Sequence, residues 1–437
     1  MGDDHFKRAF LTAEFEKRFG QPAEWIVRCP GRVNLIGEHV DYSGYGVLPM
    51  ATAQSIYVAF GLNDNEELVL ENTNEKYEKH VFDAREEWTG CKNPKWWGYV
   101  LSGFQGAKDH RNSHEIRGLN WLVHGEVPAA AGLSSSSALV CASVFTTLIG
   151  MTGKVLDGYS TEDIANVAIK CERLVGLEGG GMDQAVVTLA ENNAALRIDF
   201  EPLKSWPIEL PKNALYAVLH SHVESNKAAT AHYNERVVEC RIAAQILFKK
   251  HGQSGEGDWK QIRRLKDFQE KLGLSLAECE EMVDQFLQPS PYSREQIRKE
   301  LGADDQELRE FSLNGSTQEM ETFHLHPRAK HVFAESARVH QFVEACEAGD
   351  LERMGEIMDN SHVSCRDLYA CSCPELDRIV VECKKVGCKG ARLTGAGWGG
   401  AAVALVDAAD KERVEKELDI LFWSPPAGGI EALRLDD

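Results

Sequence analysis

Four consecutive hydroxyls, Ser134, Ser135, Ser136 and Ser137, close the small-residue run VPAAAGLSSSSAL at 127–139, just where an apolar segment begins. Serines at a helix start can cap its unpaired N–H groups, help the macrodipole hold a phosphate, or ligate Mg2+. Gly132 would let the backbone approach a bulky anion closely. An ordinary serine-rich cap has the same appearance, and the run alone does not separate the two. A second candidate is Asp183, which follows three glycines in EGGGMDQ; there it is either a carboxylate set where backbone crowds against a ligand or a structural turn residue. The third is the stretch 24–51, in which Arg32, Asn34, Glu38, His39 and Asp41 stand among apolar pieces. Carboxylates and an imidazole of this density suit the hydroxyls of a sugar, though a solvated turn rich in glycine has the same composition; the paired histidines expected of a metal site are absent.

The elements that must position these groups follow from periodicity. Leu119, Trp121 and Val123 alternate as a strand before the serines, and 138–148 is apolar nearly all round, as a buried helix would be. Ser160 with Asp163 forms a capping box for a helix reaching Val175. QSIYVAFGL, EELVLENT and KHVFDA read as strands of an antiparallel sheet. Phe6, Phe10, Ala13 and Lys17 share one face of a first helix stopped by Gly20. Tyr233, Val237, Cys240, Ala244 and Leu247 mark one face of a long amphipathic helix, and 258–287, 293–301 and 327–348 continue in helical period. Gly395, Gly397 and Gly400 fit G-x-G-x-x-G, but a strand, 401–406, follows where a dinucleotide fold needs a helix. A glycine loop lying against another phosphate- or sugar-bearing loop is expected instead.

At 437 residues the chain exceeds the size of a single core, so two domains are expected. The net charge of −20 carries no basic block, which argues against nucleic-acid and acidic-membrane partners. No apolar run is read as long enough to span a bilayer, and no signal-peptide layout opens the chain; a cytoplasmic protein is expected. Cys365, Cys371 and Cys373 crowd together, but no second pair has zinc spacing, and Ser372 with Pro374 reads as the cap and first turn of a helix.

GRVNLIGEHVDYSGYGVLPMA, PAAAGLSSSSAL and LTGAGWGG together resemble, in order, the three motifs of the galactokinase branch of the GHMP small-molecule kinases, over residues 28–405. EGGGMDQ, SNKAAT and SCRDLYACSCPELD look like the N-acetylgalactosamine kinase subgroup. The resemblance implies an α+β fold of two domains, 1–205 and 206–437, with ATP and sugar in the cleft between them. It implies a catalytic pair, Asp183 and Arg32, and sugar contacts from Arg32, Glu38, His39, Asp41, Gly181, Asp183 and Tyr233. The nucleotide would meet Trp96, Gly132, Leu133, the four serines, Asn226 and Lys227, and Mg2+ would be held by Ser136 and Glu172. The implied activity is phosphorylation of the anomeric hydroxyl of N-acetylgalactosamine or galactose by a monomer. A galactose-specific enzyme of plant or fungal type is the alternative, and a non-catalytic sensor of sugar and ATP a more distant one, disfavoured by the intact LSSSSAL, Asp183 and Arg32. Neither a Walker lysine nor the protein-kinase motifs are present.

Overall fold

The computed structural model describes residues 2–91, 94–111, 117–176, 178–224, 231–252, 255 and 257–435. Strands β1 (Trp25–Ile36), β2 (Leu48–Asn63), β3 (Glu67–Asn72), β4 (His80–Asp83) and β5 (Gly118–Gly125), with β14 (Glu431–Arg434) from the far end of the chain, form a six-stranded sheet ordered β14-β1-β2-β5-β3-β4. Side chains alternate across it. Ile26, Tyr57, Ala59 and Leu122 face helix α1 (Gly2–Phe19) through Leu11 and Phe15. Val27, Val58, Phe60, Trp121 and Val123 point the other way, into a core shared with α2 (Trp96–Arg111), α3 (Ser135–Thr152) and α4 (Thr161–Cys171). Helix α5 (Met182–Leu189) packs between that core and the next.

A hairpin of β6 (Ala194–Asp199) and β7 (Lys204–Glu209) leads to a second, fully antiparallel sheet. It is built from β8 (Ala214–His220), β11 (Gly390–Thr394), β12 (Ala401–Asp407) and β13 (Ile420–Trp423) in the order β11-β12-β8-β13. Helices α6 (His232–Lys250), α7 (Leu265–Leu272), α8 (Leu276–Phe286), α9 (Arg294–Leu301) and α10 (Asp305–Phe311) follow β8, and the two-residue strands β9 (Tyr292–Ser293) and β10 (Thr322–Phe323) pair among them. Then come α11 (Leu325–Ala348), α12 (Leu351–Asp367), α13 (Pro374–Val386) and, after β12, α14 (Lys411–Glu417). Val339, Phe342, Met354 and Val403 from this half join the first core, so the two halves meet through apolar packing rather than through a solvated seam.

Several expectations are revised. The sheet is mixed, because β3 runs parallel to β5; alternation marks a strand without giving its direction. Gly20 does end α1, accepting φ +70°, but Phe6 is 72 % exposed while Leu11 and Phe15 are sealed, so the buried stripe lies on a different face of the helix from the one expected. Helix α6 is buried on every side, polar residues included. Helix α3 has the length and hydropathy of a membrane span, contrary to the reading of the apolar runs, yet it is 72 % buried within the fold and packs against α2, β1 and β2. Cys373, not Ser372, is the N-cap of α13, with Pro374 next; among the described residues no cluster of metal-ligating side chains occurs.

Candidate active site

The capping box at α4 forms as expected, but the serine loop at α3 does not use its hydroxyls as caps. Ser134 occupies the N-cap position in a left-handed conformation, φ +60°, with no side-chain capping bond, and its buried hydroxyl has no partner. The unpaired N–H groups of the first turn are therefore left to whatever enters the space in front of them. That space is a cavity of about 490 Å3, to which the start of α3 contributes Gly132, Leu133, Ser134, Ser135 and Ser136. Ser137 turns away from it; its hydroxyl donates to Asp183 Oδ2 at 3.4 Å.

Asp183 lies in the first turn of α5, a second helix whose positive end faces the same cavity and favours an anion there. Its Oδ1 accepts from Arg32 Nε at 2.8 Å, with both side chains almost wholly buried. Arg32 Nη1 also donates to the carbonyl of Gly132 at 2.5 Å, and the Arg32 backbone N–H to that of Leu133 at 3.1 Å. One guanidinium thus ties the carboxylate to the serine loop. The glycines beside Asp183 are required by contact: a Cβ on Gly180 would lie 2.3 Å from the backbone of Asp41 and Tyr42. Asp41 Oδ2 in turn accepts from Met182 N at 3.3 Å, so the sugar-type loop and the Asp183 turn are locked together.

Glu38, His39, Asp41, Gly181 and Tyr233 line the same cavity, as do Trp96 and Glu172. Glu38 Oε2 accepts from Arg392 Nη2 and from Gly395 N, each at 3.1 Å. Burial pushes its carboxyl up to about 7 against the pull of Arg392. His39 is held in a left-handed backbone conformation, φ +60°. Its Nε2 faces the Ala396 carbonyl at 2.9 Å and so carries the hydrogen; its Nδ1 accepts from Tyr42 Oη at 3.0 Å. Burial lowers this ring to about 3, which keeps it neutral. Both nitrogens are engaged within the protein, so His39 borders the cavity without a free ring nitrogen to offer a ligand. Trp96 anchors its indole N–H on the Glu78 carbonyl at 3.0 Å, and its neighbour Trp97 stacks on His80 at 3.9 Å. Asn226 and Lys227 lie outside the described residues.

The glycine loop between β11 and β12 lies directly against the serine loop. A Cβ on Gly395 would stand 2.3 Å from the Gly132 carbonyl oxygen, and Gly395 adopts φ +84°. Three further groups behind the site escaped sequence reasoning: Arg392, and His331 and Glu335 on α11. The signal was present, since Val332, Val339 and Phe342 mark the buried stripe of that helix and Glu335 is a charge placed on it.

Two half-domains with a phosphate-type loop at the start of a buried helix define the GHMP kinase class, and models of the GHMP kinase N-terminal and C-terminal domains match residues 99–191 and 342–422. The crystal structure of Methanococcus jannaschii mevalonate kinase shares the fold, with a TM-score of 0.57 at 17 % identity over 94 % of this chain and 97 % of that one. Within the class, the galactokinase galactose-binding signature matches residues 13–62. Galactokinase of Dictyostelium discoideum is 37 % identical, covering 95 % of this chain and 87 % of that protein, and that of Saccharomyces cerevisiae 31 % identical, covering 94 % and 88 %. The fold matches Lactococcus lactis galactokinase complexed with galactose at a TM-score of 0.75 and 24 % identity, over 97 % of this chain and 99 % of that one. The chain therefore belongs to the galactokinase family of ATP-dependent sugar kinases.

Proposed function

We propose that the protein transfers the γ-phosphoryl group of ATP to the anomeric hydroxyl of galactose. The observation that carries this is the Arg32–Asp183 pair, 2.8 Å apart and joined through Arg32 to the serine loop, where the sugar-type loop and the phosphate-type loop meet. In the transfer, the C1 oxygen bonds to the γ-phosphorus as the bond to the leaving ADP breaks, and Asp183 takes the hydroxyl proton. Arg32 and the N-terminus of α3 offset the negative charge of the phosphates. Ser136 and Glu172 are oxygen donors lining one cavity, the donor chemistry that suits Mg2+, which usually takes only one or two protein ligands beside substrate phosphates. The metal, when bound, would neutralise phosphate charge. Trp96 is assigned to the adenine side, and the domains are taken as 1–205 and 206–437, with β14 returning to the first sheet.

Galactose is preferred over N-acetylgalactosamine as the substrate because the relatives above are named galactokinase. Turnover of ATP with galactose, N-acetylgalactosamine and glucose tests the reading. Galactose should react and glucose should not, because buried polar groups matched to an axial hydroxyl reject its equatorial epimer by up to ~10⁴-fold. Equal turnover of glucose, or binding of galactose and ATP without transfer, would refute it, the latter in favour of a sensor.

A further inference from the structure

The loop carrying Glu38, His39 and Asp41 belongs to the first half of the chain, yet its sharpest bend is held from the second. Glu335 of α11 is fully buried. Its Oε1 accepts from the backbone N–H of Gly37 at 3.0 Å, that of Glu38 at 3.2 Å and the Ser361 hydroxyl at 2.7 Å. Its Oε2 accepts from Arg338 Nη1 at 3.0 Å. One turn earlier, on the same face of the helix, His331 Nε2 donates to the Glu38 carbonyl at 3.0 Å, while its Nδ1 accepts from Ser364 Oγ at 2.8 Å. Val339, a further turn on, closes the space above Gly37, where a Cβ would lie 2.9 Å from its Cγ2. Both polar ends of the Glu38 backbone are therefore gripped by α11, between two residues with positive φ, Gly37 at +96° and His39 at +60°. A conformation of that kind persists only when its surroundings over-determine it.

We propose that Glu335 and His331 are positioning residues for the sugar loop, fixing the backbone of Gly37 and Glu38 so that the Glu38 and Asp41 carboxylates meet the sugar hydroxyls; this rests on the reading of the cavity as a galactose site. Neither residue lines the cavity, so their effect on catalysis passes through the loop. A group needed only to fill and neutralise the core would act on stability alone, whereas a loop clamp acts on sugar recognition and leaves the nucleotide side untouched.

Steady-state kinetics of the full chain, with galactose and ATP varied separately, distinguishes these roles when thermal unfolding of each variant is followed alongside. Glu335→Ala should raise the galactose KM by about 10–100-fold, the range for losing hydrogen bonds to a charged acceptor, with the ATP KM within about twofold of the parent. Glu335→Gln, whose amide oxygen still accepts both N–H groups, should return the galactose KM to within about fivefold. His331→Phe keeps the ring volume against Tyr369 but loses the bond to the Glu38 carbonyl, and should raise it by about 3–10-fold. Should Glu335→Ala not fold, His331→Phe decides the matter on the same criteria. A galactose KM that stays at the parent value, or that moves in step with the ATP KM, in folded Glu335→Ala or His331→Phe overturns the inference while leaving the functional reading intact. A parent without galactose turnover overturns both.

Discussion

Replacing Asp183 by Asn removes one charge and almost no volume. Arg32 Nε, now 2.8 Å from Oδ1, can keep its bond to the amide oxygen, and the Gly132 carbonyl still accepts from Nη1. The guanidinium is nevertheless left buried beside a neutral partner. Removing one member of a buried pair outright costs ~3–5 kcal/mol; with an acceptor retained, a loss of about 1–3 kcal/mol in unfolding free energy is expected. The chemical step should suffer more. Without a proton acceptor the transfer loses the ~10²–10⁴-fold that a positioned base supplies, equivalent to about 3–5 kcal/mol of barrier. Single-turnover transfer from ATP to galactose measures this, with calorimetry for each ligand alone. Binding should persist, and ATP binding should tighten, because the uncompensated Arg32 is available to the phosphates. A variant transferring phosphate at near the parent rate would remove Asp183 as the base. A variant with a normal kcat and a raised ATP KM would make it merely the anchor of Arg32.

Ser136→Ala should weaken use of Mg-ATP and shift the Mg2+ dependence of turnover upward while calorimetric galactose affinity holds; unchanged Mg2+ and ATP kinetics would reduce Ser136 to a bystander at the helix start. Gly395→Ala should lose activity and at least about 1–3 kcal/mol of stability in urea unfolding, since its Cβ meets the Gly132 carbonyl and its φ of +84° is strained for alanine; a variant of parent stability would show the two loops free to part. Stability should also fall with acid. Burial lowers His331 from 6.5 to about 4, so the unfolded chain binds the extra proton and the stability present above pH 6.5 is lost as pH drops towards 4. Glu335, held at about 2 mainly by Arg392 and Arg338 against burial, adds a loss between pH 4.5 and 2. Glu38, raised to about 7, acts in the opposite direction, its contribution fading as pH rises from 4.5 through 7. Urea unfolding of His331→Phe should show a slope between pH 6.5 and 4 shallower than the parent's by up to about 1.4 kcal/mol per pH unit, and an unchanged slope would contradict the assignment.

Local pattern carried the parts of the site that local pattern builds. The serine loop was legible because a small-residue run meets a helix apolar on all sides, and the glycine loop because a strand, not a helix, follows Gly400. What stayed hidden depends on partners far along the chain. Nothing near Glu335 says that its carboxylate will cap residues 37 and 38, some 298 positions away. Nothing near His39 says that Tyr42 and Ala396 will occupy both its nitrogens. Helix α1 misled for a different reason: its apolar residues form two interleaved stripes, and only contact with Tyr57 and Leu122 selects Leu11 and Phe15 over Phe6 and Phe10.

The pairing of β14 with β1, in which Trp25 stands opposite Arg434, has a consequence for how the molecule is made. On one side β1 finds β2 as soon as that hairpin emerges, but the other edge of its first residues, Trp25–Arg28, has no paired strand until residue 431 and those after it leave the ribosome. At ~5–20 residues per second that is roughly 20–80 s during which the start of an apolar strand, the one leading into the sugar loop, offers unpaired N–H and C=O groups. Those last four paired residues, with the Leu435 N–H bonded to the Glu24 carbonyl at 2.9 Å, close that edge. Premature termination anywhere between α14 and β14 would leave the Trp25–Arg28 edge permanently uncovered, so such fragments should end in aggregates or in chaperones.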